Sequence, residues 1–146
     1  MFFSSVQLEP LLQLFLASAM GSLIGFEREQ KRKEAGFRTF ILVAFGACFF
    51  TVTAVYFNTA VSADFGWQID PARVIQAVAI GIGFIGSGLI IQRKAQIEGL
   101  TTAAALWAVA AIGIGVGLGL YFISIVGTFL VTGILALSRF AEKKLF

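Results

Sequence analysis

The chain has no histidine, which removes the usual neutral-pH acid–base catalyst and the commonest transition-metal ligand. Most hydrolase and zinc-site chemistries go with it. A single cysteine, Cys48, permits neither an internal disulfide nor a Cys-rich metal site, and its place in an apolar run reads as packing. With only 2 prolines, the chain is not a disordered linker. Charge is also scarce: 13% of the 146 residues, against roughly 25% in ordinary globular chains. What is present in excess is apolar side chains, at 58%, and glycine, at 16 residues, a pairing characteristic of membrane helices. The net charge of +3 comes from 11 basic residues confined to short segments between apolar runs, so it reads as a membrane-orientation signal and not as a nucleic-acid surface.

Charge is absent from Pro10 to Phe26, Thr39 to Phe57, Val74 to Gln92 and Gly99 to Ser138. A charge at the bilayer centre costs about 2.5 to 3.5 kcal/mol even on a lenient scale, so these stretches mark the spans. As a helix the last would be roughly 60 Å long, twice a hydrocarbon core of about 30 Å, so it must fold back. The fold-back falls near "GIGVGLGLY", where Gly113, Gly115, Gly117 and Gly119 precede Tyr121. The sequence therefore predicts an all-α polytopic membrane protein. Its single domain, 1–146, is a bundle of five transmembrane helices at about 10–26, 39–57, 74–92, 99–116 and 120–138.

Ten of the basic residues lie on one predicted side: Arg28, Lys31, Arg32, Lys33 and Arg38, then Arg93 and Lys94, then Arg139, Lys143 and Lys144. Only Arg73 lies opposite, which places the N-terminus outside and the C-terminus in the cytoplasm. Tyr56, Trp67 and Tyr121 fall at the predicted outer interface, where rings with a polar tip are favoured. The first eight residues carry no Lys or Arg, so no cleavable signal is expected and the N-terminus should remain as helix 1.

"AIGIGFIGSGLII", residues 79 to 91, places Gly81, Gly83 and Gly86 in the spacing G-x-G-x-x-G. A dinucleotide fingerprint needs a preceding strand and an acid about 20 residues on, and no such acid occurs. On a helix, Ala77, Gly81 and Gly88 share one side, with Ala79, Gly83 and Gly86 nearly opposite. Helix 3 is thus expected in the middle of the bundle, smooth on two faces. Gly21 and Gly25 in helix 1, with Gly113 and Gly117 in helix 4, mark its packing partners or a homodimer contact.

"GSLIGFEREQKRKEAGFRTFILVAFGA" (21–47), "DPARVIQAVAIGIGFIGSGLII" (70–91) and "GLTTAAALWAVAAIGIGVGLGLY" (99–121) together resemble the MgtC/SapB family of bacterial and archaeal inner-membrane proteins. The resemblance implies a small multi-pass protein associated with magnesium homeostasis and growth when magnesium is scarce. Some members are linked to intracellular survival of pathogens and to restraint of the F-type ATP synthase. Many carry a soluble cytoplasmic domain after the last helix; this chain ends eight residues beyond Ser138 and is expected to be a short form without it. Many also have Ser or Thr where Ile80 stands, and Gln76 lies one position earlier than the amide of some relatives.

By that resemblance the candidate functional residues are Glu27, Arg28, Glu29, Arg38 and Thr39 at the cytoplasmic ends of helices 1 and 2, and Asp70, Arg73 and Gln76 at the outer end of helix 3. Thr101, Thr102 and Trp107 in helix 4 complete the set. Each also has a structural reading. Glu27, Arg28 and Glu29 suit a solvated helix exit with Arg28 snorkelling, and Lys31, Arg32 and Lys33 suit contact with anionic lipid. Asp70 reads as an N-cap before Pro71, with Arg73 in reach of it. Thr101 reads as the cap of helix 4, Thr102 as a hydrogen-bonding group within the bundle, and Trp107 as filler of a gap between small residues.

Two function classes remain. One is a non-enzymatic regulator that binds another membrane protein through exposed small-residue faces, Gly21 and Gly113 among them. The other is a transporter or channel for Mg²⁺ or another cation, which usually shows an intramembrane carboxylate. No span interior contains one; the acids sit at the rims, Glu9, Asp64 and Asp70 on one side and Glu27, Glu29, Glu34, Glu98 and Glu142 on the other. An enzyme is not expected, since no nucleophile–base pair or ATP-hydrolysis motif is evident. No cofactor is expected; Mg²⁺ enters as ligand or substrate.

Overall fold

In lipid every backbone amide and carbonyl must find a partner within the chain, which favours uninterrupted helices wherever the sequence is apolar. The computed structural model, describing residues 8–65, 70–93 and 96–145, has five: α1 (Leu8–Gln30), α2 (Phe37–Phe65), α3 (Pro71–Ser87), α4 (Leu100–Gly117) and α5 (Tyr121–Leu145). Most extend past the charge-free cores that mark them in the sequence, because hydrogen bonding does not stop where charge begins. Three are long and apolar enough to cross a membrane: α1, Phe37–Asn58 of α2, and α4. Trp67 and Lys94 lie outside the described residues.

The helix predicted over 74–92 is displaced. Asp70 caps α3, accepting the Ala72 N–H at 2.9 Å, and Pro71 takes the first helical position. The helix then ends at Ser87, before Gly88. The residues that follow form an antiparallel hairpin, β1 (Ile91–Arg93) with β2 (Gln96–Glu98), pairing Ile91 with Glu98 and Gln92 with Ile97. Glycine weakens the helix here, and β-branched Ile90, Ile91 and Ile97 suit extended backbone. Gly99 returns the chain to α4 with φ of 85°, and a Cβ there would overlap the Leu89 carbonyl, so only glycine fits. It is Gly99, and not Thr101, that stands at the N-cap of α4.

The turn between α4 and α5 forms where the glycine run predicts it. Leu120 donates its N–H to the Gly115 carbonyl at 2.8 Å and Gly119 donates to Val116 at 2.9 Å, a Schellman ending with Gly119 at φ 78°.

The centre of the bundle is α4, which touches all four other helices. Of its span 56% is buried, against 33% for α1 and 39% for α2. Helix 3 is peripheral, with only Ile82 and Gly86 buried. A Cβ at Gly81 or Gly83 would meet no atom within 4 Å, whereas one at Gly86 would sit 3.4 Å from the Ala103 Cβ. The close packing expected of helix 3 is instead made on α2. Gly21 and Gly25 of α1 lie against Phe37, Phe40 and Ala44, and Gly113 and Gly117 of α4 against Ala44, Ala47, Cys48 and Thr51. Gly21 and Gly113 are therefore buried helix contacts and not surface positions. Hydroxyls within the apolar helices are satisfied locally: Thr51, Ser124, Thr128 and Thr132 each donate to the carbonyl four residues earlier, at 2.8 to 2.9 Å.

Candidate functional site

The polar candidates gather at two opposite ends of the bundle. At the basic end, the last turns of α1 carry Glu27, Arg28 and Glu29, and the loop 31–36 leads to α2. Arg28 is only 3% exposed, and its Nε donates to Glu27 Oε2 at 2.5 Å, while Lys31 pairs with the other oxygen of Glu27. A buried guanidinium is tolerable only with such a partner. Glu29 reaches across the loop, its Oε2 accepting the Phe37 N–H at 2.9 Å and so satisfying an orphan donor at the start of α2. Gly36 leaves room for this carboxylate, since a Cβ there would overlap it.

Glu34 closes the cluster. It accepts a 2.6 Å hydrogen bond from the Thr102 hydroxyl in the first turn of α4, and Thr102 is buried. That bond, a local backbone hydrogen bond and the nearby charges of Lys33 and Arg28 hold the Glu34 carboxyl below its ordinary value of 4.5, against a smaller opposing effect of burial. The loop is thereby tied to the central helix. Arg38 is exposed and makes no ion pair among the described residues; Thr39 is half-buried, and Thr101 is exposed.

This arrangement does not resemble a hard-cation cage. Mg²⁺ needs several free oxygens in near-octahedral array. Here Glu27 faces two cations, Glu29 a backbone amide and Glu34 a hydroxyl. Among the described residues no group of three or more His, Cys, Asp or Glu is placed to hold a metal ion.

At the other end, Asp70 is spent on capping α3, and Arg73 and Gln76 are exposed, with no Asp70–Arg73 ion pair among the described residues. A further network here escapes the sequence reading: buried Gln13 of α1 donates to the Tyr121 hydroxyl at 3.1 Å, which donates in turn to Glu9 at 3.3 Å. Gln13 is a lone amide in an apolar span, a signal that was legible. Glu34, an acid amid basic residues, is the other omission. Trp107 fills no gap; it is 55% exposed on the outer surface of α4.

Three helices suited to a bilayer, internally satisfied hydroxyls and charge confined to the helix ends define a helical membrane protein. The MgtC family model matches residues 14–144, and the chain belongs to that family. It is 40% identical over 121 residues to "Putative magnesium transporter YhiD" of Escherichia coli (strain K12), a match covering 82% of this chain and 56% of that protein. It is 42% identical over 123 residues to Protein MgtC of Brucella abortus (strain 2308), covering 84% and 48% respectively. With Protein SrpB of Synechococcus elongatus the identity is 38% over 125 residues, covering 80% and 68%. The chain thus spans about half the length of the first two relatives. No solved structure matches it.

Proposed function

We propose that the chain is a five-span protein of the bacterial or archaeal cytoplasmic membrane, N-terminus outside, that serves magnesium homeostasis or low-magnesium adaptation by modulating another membrane protein. The F-type ATP synthase is a partner of the kind the family resemblance implies. Length supports α3 and Tyr121–Leu137 as the remaining spans: 17 residues rise about 26 Å, close to a hydrocarbon core of about 30 Å. The observation that carries the preference for modulation is the engagement of Glu27, Glu29 and Glu34 by the protein's own cations, amide and hydroxyl, with no carboxylate in the charge-free stretches of the sequence that mark the spans.

Transport of Mg²⁺ is the second reading, favoured by the name of the Escherichia coli relative. The two separate in growth at limiting magnesium of a strain lacking its own family member. Glu29→Gln and Asp70→Asn each keep an oxygen that can accept the capping hydrogen bond while removing the charge. Modulation predicts rescue by wild type and by both variants; a conduit with rim carboxylates predicts rescue by wild type alone.

A further inference from the structure

α2 and α3 do not close on each other. Between them runs an apolar groove of about 950 Å³, lined by Thr39 near one end, by Gly46, Ala47, Ala77 and Gly81 along its walls, and by Arg73 at the other. A Cβ at Gly46 or Gly81 would meet nothing within 4 Å, in contrast to Gly21, where Ala44 Cβ would lie at 2.8 Å. The walls are smooth, yet no described atom fills the space between them.

We propose that this groove binds a phospholipid with an anionic headgroup, an acyl chain lying along the glycine and alanine walls and the phosphate paired with Arg73. Charge complementarity selects this occupant. Arg73 is exposed at the groove's mouth, in the first turn of α3, and makes no ion pair among the described residues. Asp70 nearby is committed to the Ala72 amide. An apolar channel ending in a guanidinium matches an amphiphile with a phosphate at one end, since Arg takes phosphate through paired, charge-assisted hydrogen bonds, and a headgroup with no cation of its own leaves the phosphate's charge to Arg73.

The groove's shape suits an acyl chain. Along α2 the groove extends from Thr39 to Phe57, a rise of about 27 Å. A hydrocarbon chain is narrow and follows an irregular wall. The inference depends on α3 lying in the bilayer and is independent of whether the protein modulates or transports.

The test uses the full chain in nanodiscs of equimolar phosphatidylglycerol and phosphatidylcholine, transferred to non-ionic detergent, with retained lipid counted by native mass spectrometry. Both lipids carry the phosphate, but the choline ammonium of phosphatidylcholine offsets its attraction to Arg73, so wild type is expected to retain phosphatidylglycerol over phosphatidylcholine by about fivefold. Arg73→Gln should abolish that preference. Gly81→Leu should displace both lipids, and Gly46→Leu, which fills the groove from the opposite wall, should do the same, each with the helical circular dichroism of wild type. Gly133→Leu, at an open position on α5, should leave retention unchanged. Retention that is indifferent to both groove-filling variants, or a preference that survives Arg73→Gln, would overturn the proposal. So would efficient disulfide dimers of Gly81→Cys in a Cys48→Ala background, which would give the groove to a second copy.

Discussion

The contact between α1 and α2 depends on the absence of a single methyl group at Gly21. A Cβ there would lie 2.7 Å from the Phe40 carbonyl oxygen and 2.8 Å from the Ala44 Cβ, where ordinary contact begins at 3.4 Å. Restoring contact distance requires the two helices to part by about 0.6 Å, from 2.8 to 3.4 Å, along a tightly packed seam. Overpacking of this kind costs about 1 to 3 kcal/mol, offset by at most about 1 kcal/mol of improved helix propensity. Gly21→Ala should therefore lose about 1 kcal/mol, and Gly21→Val more. At Gly83 no atom lies within 4 Å of the same methyl, so Gly83→Ala keeps the propensity gain without the collision and should be neutral or stabilised by up to about 1 kcal/mol. The assay is unfolding in mixed micelles followed by circular dichroism, with both variants run beside wild type. Equal stability of Gly21→Ala and Gly83→Ala would refute the reasoning.

Other consequences follow from the polar ends. The folded-state carboxyl of Glu34 lies below its ordinary 4.5, so its contribution to stability is complete above that value and is lost as pH falls through the lower folded value. Thr102→Val removes the main cause and should flatten this acid limb, read as the melting midpoint of each protein against pH. Arg28→Met leaves Glu27 with Lys31 alone and should cost about 3 kcal/mol, part of which the double variant with Glu27→Gln restores; thermal unfolding of the four combinations measures it. Asp70→Ala should cost about 1 kcal/mol and speed amide exchange in the first turn of α3, whereas Asp70→Asn should not.

Local signals carried the sequence reading a long way. Five helices, the Gly119 turn and the Asp70–Pro71 entrance to α3 each rest on residues adjacent in the chain, and composition or capping chemistry is enough to read them. The hairpin at 91–98 was not legible, because a short apolar run rich in isoleucine suits a helix end and a strand equally well. Nor did helical spacing say which smooth face meets which. Gly81 and Gly113 look alike in sequence, but one borders open space and the other the Ala44 backbone. The site suffered in the same way. The Glu34–Thr102 bond spans 68 positions and the Gln13–Tyr121 bond 108, separations that no local pattern encodes.

The central claim, modulation without a cation pathway, is tested most directly by Mg²⁺ entry into proteoliposomes that contain the folded protein and a trapped magnesium indicator. The account predicts entry no faster than into protein-free vesicles of the same lipid. Saturable entry, abolished in a folded Glu27→Gln, Asp70→Asn variant, would contradict it and make the rim carboxylates the mouths of a conduit.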